Sequence, residues 1–231
     1  MKPTLAIAFT IALAAASTAQ QKGGTIEPKP APAKPDPVAV KIAELGDAQK
    51  REAALESLAT CLDEAGRQLV KAMGSEDAAV RIAVLRLYRR APDKAPTAQV
   101  VALLRDQSAD VREQAVLLHA AARPEGWVAE LLLLLPREDD TRVKRQIIAG
   151  LGASADLNCV PVLIDLLEVS SDEYLQKRTA AALLALTQQK HGRDAAAWRK
   201  WWQGGDRIAE AEQARRRAEK KPDTPAPAPA K

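Results

Sequence analysis

Aromatic side chains are scarce in this 231-residue chain, with four Trp, two Tyr and one Phe, 3% of the total. Histidine and cysteine are as rare, at two each. Two histidines and no carboxylate pair at ligand spacing give a metal such as zinc too few clustered donors, so no metal site is expected. No Gly-rich loop is present to cradle a phosphate, only the isolated pair Gly204 and Gly205. No Ser or Cys sits in a nucleophile elbow or beside a base. These absences lead to an expectation of no catalytic residue, no cofactor and no enzyme. The one apolar run, Leu5 to Ala16, is shorter than the roughly 20 residues that a membrane span needs.

A strong charge of one sign is also missing where it would matter. The formal charge is +4 and the pI about 9.1. That excess sits at the ends, because residues 38–204 carry 23 basic and 23 acidic side chains. A face that binds a duplex must neutralise phosphates with an excess of Lys and Arg, so no nucleic-acid partner is expected.

What is present begins with the two ends. Residues 1–19 have Lys2, the alanine-rich apolar run, and small residues at Ser17 and Ala19, the layout of a signal peptide cleaved before Gln20. No cysteine follows the run, so a lipid anchor is not expected; retention as an N-terminal anchor is the alternative. Export to the periplasm or cell envelope follows, with no membrane span after cleavage. Residues 20–37 hold Pro28, Pro30, Pro32, Pro35 and Pro37, and residues 222–231 repeat the Pro-Ala pattern. Such sequence favours extended polyproline II over helix or sheet, so both arms are expected to be disordered spacers. Residues 204–221 are charged and alanine-rich, with Glu212 four residues before Arg216 in the order that supports a solvated helix.

Between the arms the chain repeats itself. Segments beginning at Asp47, Asp77, Ser108, Asp140 and Asp172 align in one register, at spacings of 30, 31, 32 and 32 residues. The first position is always a residue type that caps helix N-termini. Four residues on stand Arg51, Arg81, Arg112, Lys144 and Gln176. Three apolar columns follow: Ala54, Val84, Ala115, Ile147 and Thr179; Leu55, Leu85, Val116, Ile148 and Ala180; Leu58, Tyr88, His119, Leu151 and Leu183. Their spacing makes one buried stripe on a helix. Shorter apolar runs near Gln68, Gln99, Trp127 and Cys159 supply a second helix to each unit, and Val38 to Leu45 reads as a leading half-unit. Helix, turn, helix at about 31 residues is the pattern of an α-solenoid. Gly150 and Gly152 are expected only to soften one helix end.

The pattern Asp-x-x-Val-Arg-x-x-Ala-Val-x-x-Leu, carried best by the segments at Asp77 and Ser108 and loosely by that at Asp172, resembles HEAT repeats of the short bacterial type. The resemblance covers roughly residues 38–203. It implies an all-α, right-handed superhelical solenoid of about five helix pairs, with disordered Pro-rich termini, acting in protein–protein interaction as a scaffold. A few members of that family attach bilins to phycobiliproteins, so a lyase-like enzyme or an enzyme's accessory subunit is the alternative it carries. The resemblance also places the contact surface on the ridge of second helices, where the polar residues are Arg67, Gln68, Lys71, Gln99, Arg105, Glu130, Asp165 and Glu168. The partner is an unidentified protein, and the chain is expected to be a monomer.

Three features remain. Trp198, Trp201 and Trp202 lie at i, i+3 and i+4 and share one helix face. They either close the exposed end of the core or form an aromatic patch for a partner or, with the basic tail, an envelope polymer. Cys61 ends the first helix of one unit and Cys159 opens the second helix of a unit three repeats on. Helices about 10 Å thick separate them, whereas a disulfide needs Cα atoms within about 7 Å. Both are expected to be buried small hydrophobes, with an intermolecular bridge or a thiol ligand as the alternative. His119 falls in the third apolar column and is expected in the core, and His191 lies in the loop before the last helix.

Overall fold

The apolar columns and the breakers between them resolve into helices alone. A computed structural model describes residues 36–205, 209–213 and 216, and among these no strand occurs. The expected signal peptide at 1–19, the spacer up to residue 35 and the tail at 222–231 lie outside the described residues. Of the charged segment 204–221, residues 209–213 and 216 are helical.

Eleven α-helices are described: α1 Pro37–Glu44, α2 Arg51–Thr60, α3 Leu62–Ala72, α4 Ala78–Tyr88, α5 Thr97–Leu103, α6 Ala109–Ala122, α7 Trp127–Leu134, α8 Thr141–Gly152, α9 Cys159–Val169, α10 Glu173–Thr187 and α11 Ala195–Gln203. None is long and apolar enough to cross a membrane. Their starts follow from short polar side chains that satisfy free N–H groups of the first turn. Asp77 accepts from Ala79 N, Asp140 from Arg142 N and Val143 N, Asp172 from Tyr174 N and Leu175 N, and Asp194 from Ala197 N. Two expected caps act differently. The Asp47 carboxylate accepts from Gln49 N inside a turn, and α2 starts only at Arg51. Ser108 caps with no side-chain bond; its own N–H donates to Asp106 Oδ1 at 2.8 Å. The first helix begins within the last residues of the expected spacer: Asp36 caps α1 and Pro37 occupies its first turn, where the missing N–H costs nothing.

The expected stripes form the core. All of the first and third columns are buried, and of the second column only Ala180 is half-exposed. Each stripe meets the next, so α2 packs on α4, α4 on α6, α6 on α8 and α8 on α10. The intervening helices lie against this row: α3 contacts α2 and α4, α5 and α7 contact α6, and α9 contacts α8 and α10. Among these, α7 also meets α9, and α9 meets α11. The C-terminal end of α7 is set by Pro136, after which residues 135–137 form a single 3-10 turn.

Gly152 does more than soften α8. A Cβ placed there would lie 2.8 Å from Ala182 Cβ and 3.0 Å from Ala182 Cα, so the missing side chain is what allows α8 and α10 to approach. Alanine would gain about 1 kcal/mol of helix propensity, but overpacking a close helix contact costs about 1–3 kcal/mol. Gly152→Ala is therefore expected to lower stability by about 1 kcal/mol in denaturant unfolding, net of the two effects. An unchanged or raised midpoint would show that α8 and α10 separate at no cost.

Candidate functional site

The fourth residue after the first position carries a contact that recurs in four of the five repeats. Arg51 Nε donates to Leu45 O at 2.7 Å and Arg51 Nη2 to Gly46 O at 3.2 Å. Arg81 Nη1 donates to Ser75 O at 2.6 Å and Glu76 O at 3.0 Å. Arg112 Nη1 donates to Asp106 O at 2.9 Å and Gln107 O at 3.3 Å, and Gln176 Nε2 to Ser170 O at 2.7 Å. In each case a side chain on the first helix reaches back five or six residues to carbonyls just past the preceding helix, the groups a helix C-terminus leaves unpaired. Lys144 is the exception: its ammonium has no hydrogen-bond or ion-pair partner among the described residues.

Two of these arginines also reach forward to the turn that precedes the next repeat. Arg81 Nη2 lies 2.8 Å from Asp106 Oδ1, both side chains being over nine-tenths buried. Arg112 grips Glu138 with two parallel bonds of 2.8 Å, and Glu138 also accepts from Asp139 N at 3.0 Å and Asp140 N at 2.8 Å. Burial pushes the Glu138 carboxyl up, but the Arg112 guanidinium and the two backbone N–H groups outweigh it and hold the carboxyl below the usual range. Exposed pairs between successive first helices, such as Arg142 with Asp110 at 2.7 Å, add orientation and little stability.

The expected contact residues do not line one groove. Gln68 and Lys71 come together in a groove of 680 Å³ between α1, α3 and the start of α4, with Ile42, Ala72 and Val80. There Gln68 Nε2 donates to Asp36 Oδ2 at 2.7 Å. Arg67 is exposed on α3, Gln99 is half-buried on α5, and Arg105 lies in the turn after it; none of these lines a described groove. Glu130 faces inward from α7 toward His119. Asp165 and Glu168 on α9 both take Arg199 of α11, Asp165 at 2.9 Å, so their charge is already engaged.

A second groove, of 480 Å³, was not legible in the sequence. Leu132, Leu135 and Pro136 form one wall, and Val162, Leu166 and Val169 of α9 form the other. Lys144 and Asp165 are the only charged side chains lining it. Val169 in its wall is 79% exposed, and Leu133, next to Leu132, is 58% exposed.

The three tryptophans expected on one helix face are buried to different degrees. Trp198 has no exposed surface, and its Nε1–H donates to Gly192 O at 2.9 Å. Trp201 stands edge-on to it with ring centres 6.0 Å apart, and its Nε1–H donates to Glu210 Oε2 at 3.3 Å. Trp201 and Trp202 are half-buried against the core. With Trp198 inside, it offers a partner or a sugar polymer nothing to touch. It belongs to the core at the end of the helical row, and a shared helix face could not reveal which of three tryptophans points inward.

His119 is fully buried on α6. Glu130 Oε2 approaches its Nε2 to 2.5 Å without hydrogen-bond alignment, and Nδ1 has no partner. Desolvation draws the imidazole below its ordinary 6.5, and the Glu130 charge opposes that shift without reversing it. A base with a lowered folded pKa stabilises the fold above its unfolded value and loses that contribution as pH falls below it. Unfolding midpoints are thus expected to fall between about pH 8 and about pH 5. Leu occupies this column in three other repeats, so His119→Leu is expected to flatten that slope and to add about 1 kcal/mol by removing unpaired buried nitrogens. Equal slopes in both proteins would locate the titration elsewhere.

Cys61 and Cys159 are free thiols; burial pushes Cys159 up to about 11, against the opposing bond to Ser154, so it stays protonated and inert near neutral pH. Neither groove is lined by His119 or Cys159. Among the described residues no three His, Cys, Asp or Glu side chains cluster as metal donors would. No protein-family model matches the chain, and no curated protein is significantly similar to it.

Proposed function

We propose that the chain is a non-catalytic scaffold for protein–protein interaction, a solenoid of HEAT-like helix pairs exported to the cell envelope. The carrying observation is the repetition of one contact. The fourth side chain of four repeats pins the turn before it, while α2, α4, α6, α8 and α10 each pack on the next. A row of units that each bury a face only against neighbours is the arrangement of repeat proteins, which use the extended surfaces so created for binding. The solenoid and its right-handed superhelical path rest on this repetition together with the sequence register. Export rests on residues 1–19 alone, with the net-neutral body favouring a protein over a polyanion as partner.

In-cell crosslinking of the full chain, followed by mass spectrometry, tests the proposal. The expected result is a small, reproducible set of envelope proteins joined to the body between residues 38 and 203, with a mature N-terminus at Gln20. Recovery of small molecules with no protein, or of a cytoplasmic chain that keeps Met1, would overturn it.

A further inference from the structure

The exception at Lys144 coincides with the apolar groove between α7 and α9. Four of the five repeats spend their fourth side chain on the preceding turn. In the remaining repeat that turn is held by Glu138 and Arg112 instead, since Glu138 accepts from Asp139 N and Asp140 N. Lys144 is thereby released from the structural task. Half-buried Lys144 lines the groove, and its ammonium has no anionic partner among the described residues. The other charge there, Asp165, is bound to Arg199 and offers little to a ligand. The groove therefore presents aliphatic walls from two helices and one uncompensated positive charge.

We infer that this groove, formed by α7, the turn after it, Lys144 and α9, is a docking site for an aliphatic segment of a partner protein that carries an acidic side chain. Charge complementarity selects the sign: a carboxylate meeting Lys144 gains an ion pair, whereas a Lys or Arg there meets a like charge partly shielded from water. The aliphatic lining selects the rest, because Leu132, Leu166 and Val169 gain from leaving water only against apolar surface. The exposure of Val169 in its wall, and of Leu133 next to Leu132, suits a segment that continues past the groove. This inference rests on the scaffold proposal and names the surface and the partner chemistry within it.

The test uses the full chain and three series of ten-residue, Leu- and Ala-rich fluorescent peptides, identical except for Glu, Gln or Lys at fixed positions. The Glu series is expected to bind about fivefold tighter than the Gln series, the upper range for a partly exposed ion pair. The Lys series should bind weakest. Lys144→Glu should invert that order and still fold, since an acid in the first turns of α8 suits the helix dipole. Val169→Asp, at an exposed position, should weaken the Glu series without changing the melting temperature.

Equal binding of the three series, or an order unchanged by Lys144→Glu, would overturn the inference. So would a dimer in sedimentation that Val169→Asp dissolves, because the occupant would then be a second copy of this chain. If crosslinking recovers partners but Lys144 does not govern peptide binding, the scaffold stands and this surface falls. If Lys144 governs peptide binding but no protein is recovered in cells, the scaffold proposal falls.

Discussion

Trp198→Ala is expected to destabilise the protein by about 3–5 kcal/mol, the usual cost of deleting a buried aromatic side chain. That is a large fraction of the roughly 5–15 kcal/mol that holds a typical domain together. The reason is local as well as general. Trp198 is the one fully buried residue of α11, and α11 packs on α9. Trp201 and Trp202 add only partial burial, and the ion pairs from Arg199 to Asp165 and Glu168 are exposed, so neither can hold the helix alone. Without Trp198, α11 should undock before the rest of the protein unfolds and leave part of α9 uncovered. Hydrogen exchange is expected to show amides of residues 195–203 losing protection first, alongside a lowered denaturant midpoint. Trp198→Phe should fall between, because it refills much of the space but cannot donate to Gly192 O. A loss below about 1 kcal/mol, or uniform loss of protection along the chain, would mean that α11 does not close the core.

Much of this architecture could be read from the residues, and the limits of that reading have physical causes. Ala54, Val84, Ala115, Ile147 and Thr179 are buried as their spacing required, because helical periodicity depends on one element at a time. The caps at Asp77, Asp140 and Asp172 were legible for the same reason. Contacts between repeats were not. The basic column was visible, but its carboxylate partners, Asp106 and Glu138, stand in turns of different sequence, and in the other three repeats the equivalent positions are Leu45, Ser75 and Ser170. No column of like residues marks them. Gly152 looked like a weak helix end, and only the 2.8 Å approach of Ala182 reveals its use. Lys144 stands in the same column as three arginines, but the two side chains are not interchangeable where a planar fork must bridge carbonyls. Of the polar residues expected on the second helices, only Gln68 and Lys71 share a described groove, because amphipathic spacing says which face is wet without saying which wet side chains meet a groove.

The second large effect is expected at the pair that this column hides. Arg112→Ala should cost about 3–5 kcal/mol, the range for breaking a buried ion pair on one side. Glu138 would keep its two backbone N–H donors but lose both bonds to the guanidinium, with its side chain 2% exposed. The carbonyls of Asp106 and Gln107 would also lose a donor. The penalty comes mainly from the charge left behind, so Glu138→Gln in the Arg112→Ala background should restore about 1–2 kcal/mol, a coupling within the range seen for contacting residues. The pH dependence separates this from a simple packing loss. In the native protein the lowered Glu138 carboxyl contributes stability above its unfolded pKa, and that contribution fades as pH falls through the lowered folded value. Without Arg112, burial raises the same carboxyl, so it takes up a proton on mild acidification and sheds the unpaired charge. The difference between native protein and Arg112→Ala should therefore be largest near neutral pH and shrink toward about pH 4. Urea midpoints across that range decide the matter: a difference independent of pH would assign the cost to lost packing and lost carbonyl bonds, with the Glu138 charge playing no part.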